Sequence, residues 1–317
     1  MIRICFVGLG SIGKRHIKNV AQVLRERKQE FVIDAIRCTD NKLPDDICAL
    51  IQNCYRMEEI SGIYDVIFVT NPTIYHYDTI KKLLHKSKHM FVEKPVFHEF
   101  KDSLGEFDFR GNGIYYVACP LRYSSVLREL KERLKKERVY SVRVISSSYL
   151  PEWRKGVDYR EIYSAHKEMG GGVTLDLIHE LDYILWLFQM PEMSYHLCGK
   201  YSDLEINCDD VSVYLLKYMD KIVEIHTDYI GREKVRNIEL HCKNYVIKGD
   251  LLRNRLKYVY PDGKVKEVKL LPQDYYLEEM RAFWDMVEGK KDNENSIIYA
   301  NEVLKIALNN KWSKCLK

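Results

Sequence analysis

The chain opens MIRICFVGLGSIGKRH, and residues 2–13 of that stretch leave little choice of fold. Ile2 to Val7 is apolar apart from Arg3, the pattern of a strand covered on both faces, as strands of a parallel sheet are when helices lie above and below. Gly8, Gly10 and Gly13 then follow as G-x-G-x-x-G, and a helix opens at Ser11. Gly8 permits a tight turn, Gly10 lets the backbone approach a pyrophosphate, and Gly13 allows close packing of helix on strand. The helix N-terminus, at Ser11 and Ile12, faces the negative charge. The expectation is a dinucleotide site for NAD or NADP.

The first 120 residues continue this alternation. Strands are expected at 2–8, 31–38, 65–71, 89–93 and 114–119, with helices at 11–25, 44–52, 74–85 and 97–107. From about residue 139 the character changes. A long strand, VYSVRVISSSYL, precedes a polar loop, a glycine-started apolar helix at 170–188, and strand-like segments from 193 to 271, before two final helices near 274–288 and 295–311. At 317 residues, two domains are the natural division, with one large barrel as the alternative. The fold class is α/β. It consists of a doubly wound parallel Rossmann sheet over 1–120 and a substrate-binding and oligomerisation α+β domain over 121–317, with a large, mostly antiparallel open sheet.

Composition narrows the partners. A net charge of +4 is small for this length, and no block of five or six like charges suggests a nucleic-acid arm. The densest basic stretch, KERLKKER at 131–138, carries two glutamates and reads as a solvated helix face. The start reads as neither a signal peptide nor a membrane span, and no segment reaches 18 apolar residues. Nine cysteines, odd in number and without a CxxC pair, read as reduced core residues of a cytoplasmic protein, with neither a disulfide frame nor a metal site.

Ligands of an open parallel sheet bind outside the carboxyl ends of its strands. At the end of the second strand, Asp40 would accept hydrogen bonds from a free ribose, Arg37 would pair with a 2′-phosphate, and Thr39 lies between them. NAD and NADP therefore both stay open, and Asp40 with Asn41 also reads as a plain turn. Asn71, Pro72 and His76 in VTNPTIYH, and Glu93 and Lys94 in EKPVF, end later strands and join the candidate cofactor contacts.

In GGGVTLDLIHELDYILWLF, 170–188, an unbroken helix would set Asp176, His179 and Tyr183 on one narrow face of an otherwise apolar cylinder. They read either as a satisfied buried pair or as the group that takes a hydroxyl proton. The loop at 148–172 offers Tyr149, Trp153, Arg154, Arg160, Tyr163 and His166. Aromatic platforms suit a polyhydroxylated ring, and arginines suit a carboxylate or phosphate.

Together these pieces resemble the Gfo/Idh/MocA family, named for glucose-fructose oxidoreductase and inositol dehydrogenase. The resemblance is carried by GLGSIGKRH at 8–16, VTNP at 69–72, EKP at 93–95, PLRY at 120–123 and GGG-x-x-x-D at 170–176 followed by His179. It implies an NAD(P)-dependent oxidoreductase of sugars or sugar derivatives. Lys94 would polarise the reacting hydroxyl, Asp176 would position the substrate, and His179 would act as general acid/base. Arg122 joins the substrate contacts, and a homodimer or homotetramer follows from the family's habit. One departure stands out: D-x-x-H replaces the commoner D-x-x-x-H and puts Glu180 where the histidine usually falls, so either could face the cleft. HELD restores the usual distance to Asp182 and favours His179. The 148–172 loop resembles a subgroup encoded with bacterial surface-sugar pathways, implying a nucleotide-linked or acidic sugar. A non-catalytic NAD(P)-binding regulator, or a lyase or epimerase with tightly held NAD, is the alternative.

Overall fold

The structure, a computed structural model, describes residues 1–39 and 41–309. They form two compact units: Met1–Ala118 with Tyr276–Asn301, and Cys119–Tyr275 with residues 302–309. Residues 276–301 thus belong to the first unit, whereas the sequence pattern had left them with the second domain.

The first unit runs β1 (Ile2–Val7), α1 (Ser11–Glu26), β2 (Phe31–Ile36), α2 (Asp45–Cys48), β3 (Asn53–Tyr55), β4 (Tyr64–Val69), α3 (His76–Leu83), β5 (Ser87–Val92) and β6 (Tyr115–Val117). The six strands lie in the order β3-β2-β1-β4-β5-β6, all parallel. Strand order reverses between β1 and β4, the switch point at which doubly wound sheets bind ligands. Ile4 to Val7, Val66 to Val69 and Met90 to Val92 are buried, because α1 and its neighbours cover the sheet. The buried face of α1 is set by Ile17, Val20, Ala21 and Leu24 at helical spacing.

An aromatic stack fills one side of this sheet. Phe6 and Phe68 lie 4.4 Å apart, Phe68 and Phe91 5.1 Å, and Phe91 meets Phe283 edge-on at 5.2 Å. Phe283, with the Tyr116 hydroxyl donating to Glu279 Oε1 at 2.9 Å, anchors 276–301 to this unit. The helix expected at 97–107 is absent. Phe97 and Phe107 instead flank the Tyr77 ring at 5.4 and 5.1 Å, and Asn301 bonds the backbone of Lys101 on both sides.

The second unit adds α4 (Ser125–Leu134), β7 (Val139–Tyr149), α5 (Val173–Asp176), α6 (Ile178–Phe188) and seven further strands. These are β8 (Met193–Gly199), β9 (Val211–Lys217), β10 (Ile222–Asp228), β11 (Ile230–Cys242), β12 (Val246–Asp250), β13 (Arg255–Val259) and β14 (Val265–Lys269). Helices α7 (Tyr275–Val287) and α8 (Ile297–Leu308) are the last elements of the described residues. The sheet order is β14-β13-β12-β11-β7-β10-β9-β8, antiparallel except where β10 runs beside β7. One face packs on the helices through Val142, Val144, Val223, Ile225 and Leu240, while Ile145, Tyr195, Leu197, Leu215 and Ile222 point outward and are exposed. The single helix expected at 170–188 is broken at Leu177, whose φ of −101° and ψ of 25° separate α5 from α6.

Among the described residues no helix is long and apolar enough to cross a membrane, and no His, Cys, Asp and Glu cluster is arranged to hold a metal. The described cysteines are free; Cys5, Cys119, Cys208 and Cys242 are buried as expected, whereas Cys38, Cys48 and Cys54 lie at the surface.

His196 faces inward from β8, its Nε2 2.8 Å from Ser212 Oγ and its ring stacked on Tyr214 at 4.2 Å. Burial lowers its pKa from 6.5 to about 4. The unfolded chain therefore takes up the proton first, and stability present above pH 6.5 is lost as pH falls from 6.5 towards 4. That loss amounts to about 3 kcal/mol at full extent. Urea unfolding across this window should give a steeper pH dependence for the wild type than for His196→Asn; equal slopes would remove His196 as the cause.

Candidate active site

In the first unit the parallel register brings the ends of β1, β4 and β5 level. Gly8, with φ of +88°, stands so close to the next strand end that a Cβ would lie 2.7 Å from Asn71 Cα. At Gly13 a Cβ would lie 2.5 Å from the Gly8 carbonyl oxygen and 2.9 Å from Thr70 Oγ1. The Thr70 hydroxyl donates to that carbonyl at 2.6 Å, which locks turn, strand and helix together. Gly10 differs: nothing lies within 4 Å of its Cβ position. It caps α1 with extended backbone, and neither a side-chain cap nor an acidic residue occupies the first turn. The amides at Ser11 and Ile12 therefore face an open, electropositive helix end, which fits a dinucleotide pyrophosphate.

The remaining first-unit candidates divide. Asn71 is half-buried and donates to Thr79 Oγ1 at 2.9 Å, and Pro72 opens the turn at Thr73–Tyr75. His76, expected at the cofactor, is buried with both ring nitrogens on backbone carbonyls: Nε2 is 2.9 Å from Asn71 O, and Nδ1 is 3.1 and 3.2 Å from Pro95 O and Val96 O. Burial lowers its pKa, so the neutral ring carries one N–H and donates to one of these two strand-end turns. Arg37 donates to the Asn41 carbonyl and Thr39 is exposed; Asp40 lies outside the described residues.

Glu93 is buried, with Oε1 2.6 Å from His16 Nε2 and Oε2 accepting from the Lys94 amide at 3.1 Å. Burial pushes its pKa up, but the His16 hydrogen bond and the charges of His16 and Lys94 outweigh it and hold the carboxyl below its ordinary range. Lys94 is half-buried and is followed by a cis peptide bond to Pro95.

In the second unit Asp176 is 5% exposed and accepts from Tyr163 Oη at 2.5 Å and Tyr229 Oη at 2.6 Å. Burial, then the charge of Asp176, raises both phenols well above their ordinary pKa, so they remain donors. Asp209 caps α5 from outside, accepting from the Thr174 amide at 2.8 Å, and a Cβ at Gly172 would lie 2.3 Å from its Oδ1. Burial raises the Asp209 pKa, and the charge of Asp176 adds to it.

The break at Leu177 changes the expected single face. His179 is half-buried in the first turn of α6. Glu180 is fully buried with Arg236 Nε 2.8 Å from its Oε1, which gives it a structural partner. Tyr183 is fully buried. The loop at 150–172 is four short 3-10 turns over a small core of Leu150, Ile162, Ala165 and Leu204. Tyr163 turns 37% of its surface outward. Trp153 meets Tyr229 edge-on at 5.1 Å and donates to Ser148 Oγ, Tyr149 lies 3.7 Å beneath the Arg232 guanidinium, and Arg154 is exposed.

Three expected substrate contacts are committed elsewhere. Arg122 is 4% exposed and grips Asp182 at 2.8 and 2.6 Å. Arg160 pairs with Asp158 and Glu205, and His166 lies 2.7 Å from the Arg160 carbonyl. Conversely, Tyr229, Asp209 and Arg232 were not singled out from sequence. His16 was quoted within its motif, three residues past Gly13, and given no role.

Residues 2–104 match the oxidoreductase family with an NAD-binding Rossmann fold, and residues 127–248 match the C-terminal domain of the same Gfo/Idh/MocA group. The chain belongs to the Gfo/Idh/MocA oxidoreductase family. It thus has an NAD-binding Rossmann domain, into which the Gly10 opening fits. No curated protein matches this family member. Among solved structures, levoglucosan dehydrogenase in complex with NADH and levoglucosan is 15% identical, with a TM-score of 0.79 over 96% of this chain and 95% of its own. UDP-N-acetylglucosamine 3-dehydrogenase GnnA from Acidithiobacillus ferrooxidans is 14% identical, with a TM-score of 0.77 over 97% and 95%. The WlbA dehydrogenase from Bordetella pertussis, in complex with NADH and UDP-GlcNAcA, is 18% identical, with a TM-score of 0.75 over 96% and 93%. At these identities the likeness is one of fold.

Two glycine variants separate packing from binding. Gly10→Ala should keep the wild-type Tm yet weaken NADH by at least about tenfold, since the methyl enters only the space left for the ligand. Gly13→Ala should lower Tm as well, because its Cβ meets backbone. Fluorescence titration with NADH and thermal unfolding read the two effects; an unchanged NADH affinity in Gly10→Ala would count against the cradle.

Proposed function

We propose that this oxidoreductase transfers a hydride between NAD and a ring hydroxyl or keto carbon of a sugar derivative, with a nucleotide-linked or acidic sugar as substrate. The observation that carries this reading is Asp176, buried and accepting hydrogen bonds from two tyrosines beside a loop of aromatic and arginine side chains. Tyr149 and Trp153 offer faces for a sugar ring, and Arg154 offers charge to an anionic substituent. The sugar nucleotide in the WlbA complex and the sugar in the levoglucosan dehydrogenase complex support the substrate class.

NAD, when bound, supplies the hydride acceptor or donor. The chain must deal with the hydroxyl proton and the charge left on oxygen. Lys94 is the cation proposed to stabilise a developing alkoxide, and His179 is the proposed general acid/base; Asp176, with Tyr163, is proposed to orient the sugar. The buried pairing of Glu180 with Arg236 supports His179 over Glu180 for the proton.

The free thiols support a reducing, cytoplasmic setting. The outward apolar face of the second unit's sheet, at Tyr195, Leu197, Leu215, Ile145 and Ile222, supports self-association as a homodimer or homotetramer.

Lys94→Ala and His179→Ala should each lower kcat by about 10² with an acidic or nucleotide-linked sugar, the scale of lost general acid/base catalysis. Glu180→Gln should instead act on stability, by up to about 3 kcal/mol, because it removes the charge partner of the half-buried Arg236. NADH absorbance and denaturant unfolding give the two readings; full turnover in both alanine variants would sink the assignment. Light scattering should show Leu215→Glu shifting the protein towards monomer, and a wild type that is already monomeric would end that part of the proposal.

A further inference from the structure

Lys94 carries its charge on a flexible stem, so its place depends on the backbone that bears it. From Glu93 to Phe100 that backbone is neither helix nor strand. Two buried histidines hold it from opposite sides. His16, 0% exposed on α1, reaches Glu93 Oε1 at 2.6 Å, and the other carboxylate oxygen of Glu93 accepts from the Lys94 amide at 3.1 Å. His76, 1% exposed at the start of α3, reaches the carbonyls of Pro95 and Val96 with Nδ1 and that of Asn71 with Nε2. Lys94 is therefore bracketed: the residue before it is tied to the helix that opens the dinucleotide cradle, and the carbonyls of the two residues after it face the His76 ring at the start of α3.

We propose that His16 and His76 are positioning residues that set Lys94 for its reaction, acting through Glu93 and through the Pro95 and Val96 carbonyls. The inference rests on the proposed role of Lys94. Geometry supports a directed tie over filler packing. His16 Nδ1 is buried without a hydrogen-bond partner, so the ring spends its polar character on Glu93 alone. Burial lowers the His76 pKa, so the neutral ring carries one N–H; on Nδ1 that hydrogen is donated to the Pro95 and Val96 carbonyls, and an amide side chain can present a donor on either side separately. Gln places its amide nitrogen near the Nε2 position and Asn places its own near Nδ1. His76→Asn thus keeps the tie to the Lys94 turn, and His76→Gln keeps only the tie to Asn71.

Misplacement of a catalytic group by about 1 Å costs about 10² in rate. The expected order is a kcat loss of at least about tenfold in His76→Gln but only about threefold in His76→Asn, with NADH affinity within about threefold of wild type in both. At the other tie, His16→Leu should lose kcat by at least about tenfold, and His16→Gln, which keeps a donor for Glu93, should recover most of it. Purely structural roles would lower Tm in all four without this ordering. A second readout needs no turnover: competitive acetylation, quantified by mass spectrometry with exposed lysines as internal standards, should change the Lys94 labelling rate at least about threefold in His76→Gln and hardly at all in His76→Asn. If the wild type turns over no sugar, the proposed reaction fails while labelling still decides the bracket. If Lys94 labels alike in both His76 variants, the bracket is overturned whatever the activity.

Discussion

Val7 lies beside Val69 in the parallel ladder between β1 and β4, and the first unit follows from that register. It sets Gly8 against Asn71 with no room for a side chain between them, and it lets Thr70 reach across to the Gly8 carbonyl. The next ladder, with Val69 beside Val92, brings Glu93 to the same edge. Main-chain pairing therefore gathers the glycine turn, the Asn71 turn and the Lys94 turn at one edge, and helix and side chains only refine their places. A slip of two residues along β4 would preserve every buried face and still scatter all three turns.

Much of this could be read before any coordinates, because buried parallel strands announce themselves as apolar runs; β1, β4 and β5 are such runs. β3 is three residues, Asn53–Tyr55, at the sheet edge, and has no apolar pattern to betray it. Phe97, Phe100, Leu104 and Phe107 imitate a helix face by their spacing, yet the first and last serve the Tyr77 ring from a loop. Local periodicity cannot distinguish these cases when the partner is a ring twenty residues away. The return of 276–301 to the first unit is hidden for a similar reason: Phe283 and Glu279 answer to Phe91 and Tyr116, far back in the chain.

The candidate site was legible in kind and less so in wiring. Asp176 and Tyr163 stood out as polar groups in suggestive company, but nothing near Tyr229 marks it as the second donor to the carboxylate. Arg122, Arg160 and His166 carried the right chemistry, and the fold spends it on Asp182, Asp158 with Glu205, and a backbone carbonyl. An unpaired charge cannot be told from a paired one until its neighbours across the fold are known. Glu93 is the converse: the sequence set it among the cofactor contacts, and its contacts with His16 and the Lys94 amide give it a local task.

The break at Leu177 also bears on how this segment can change in length. In a continuous helix, inserting or deleting one residue turns everything beyond it by about 100°, which would swing the buried face of α6, with Leu181, Ile184 and Leu185, out of its core. Here Asp176 is fastened by its tyrosines on one side of the joint, and α6 is fastened by its apolar stripe on the other. Residues at the joint can be gained or lost without either attachment being renegotiated, so the short D-x-x-H spacing is a change this architecture absorbs locally.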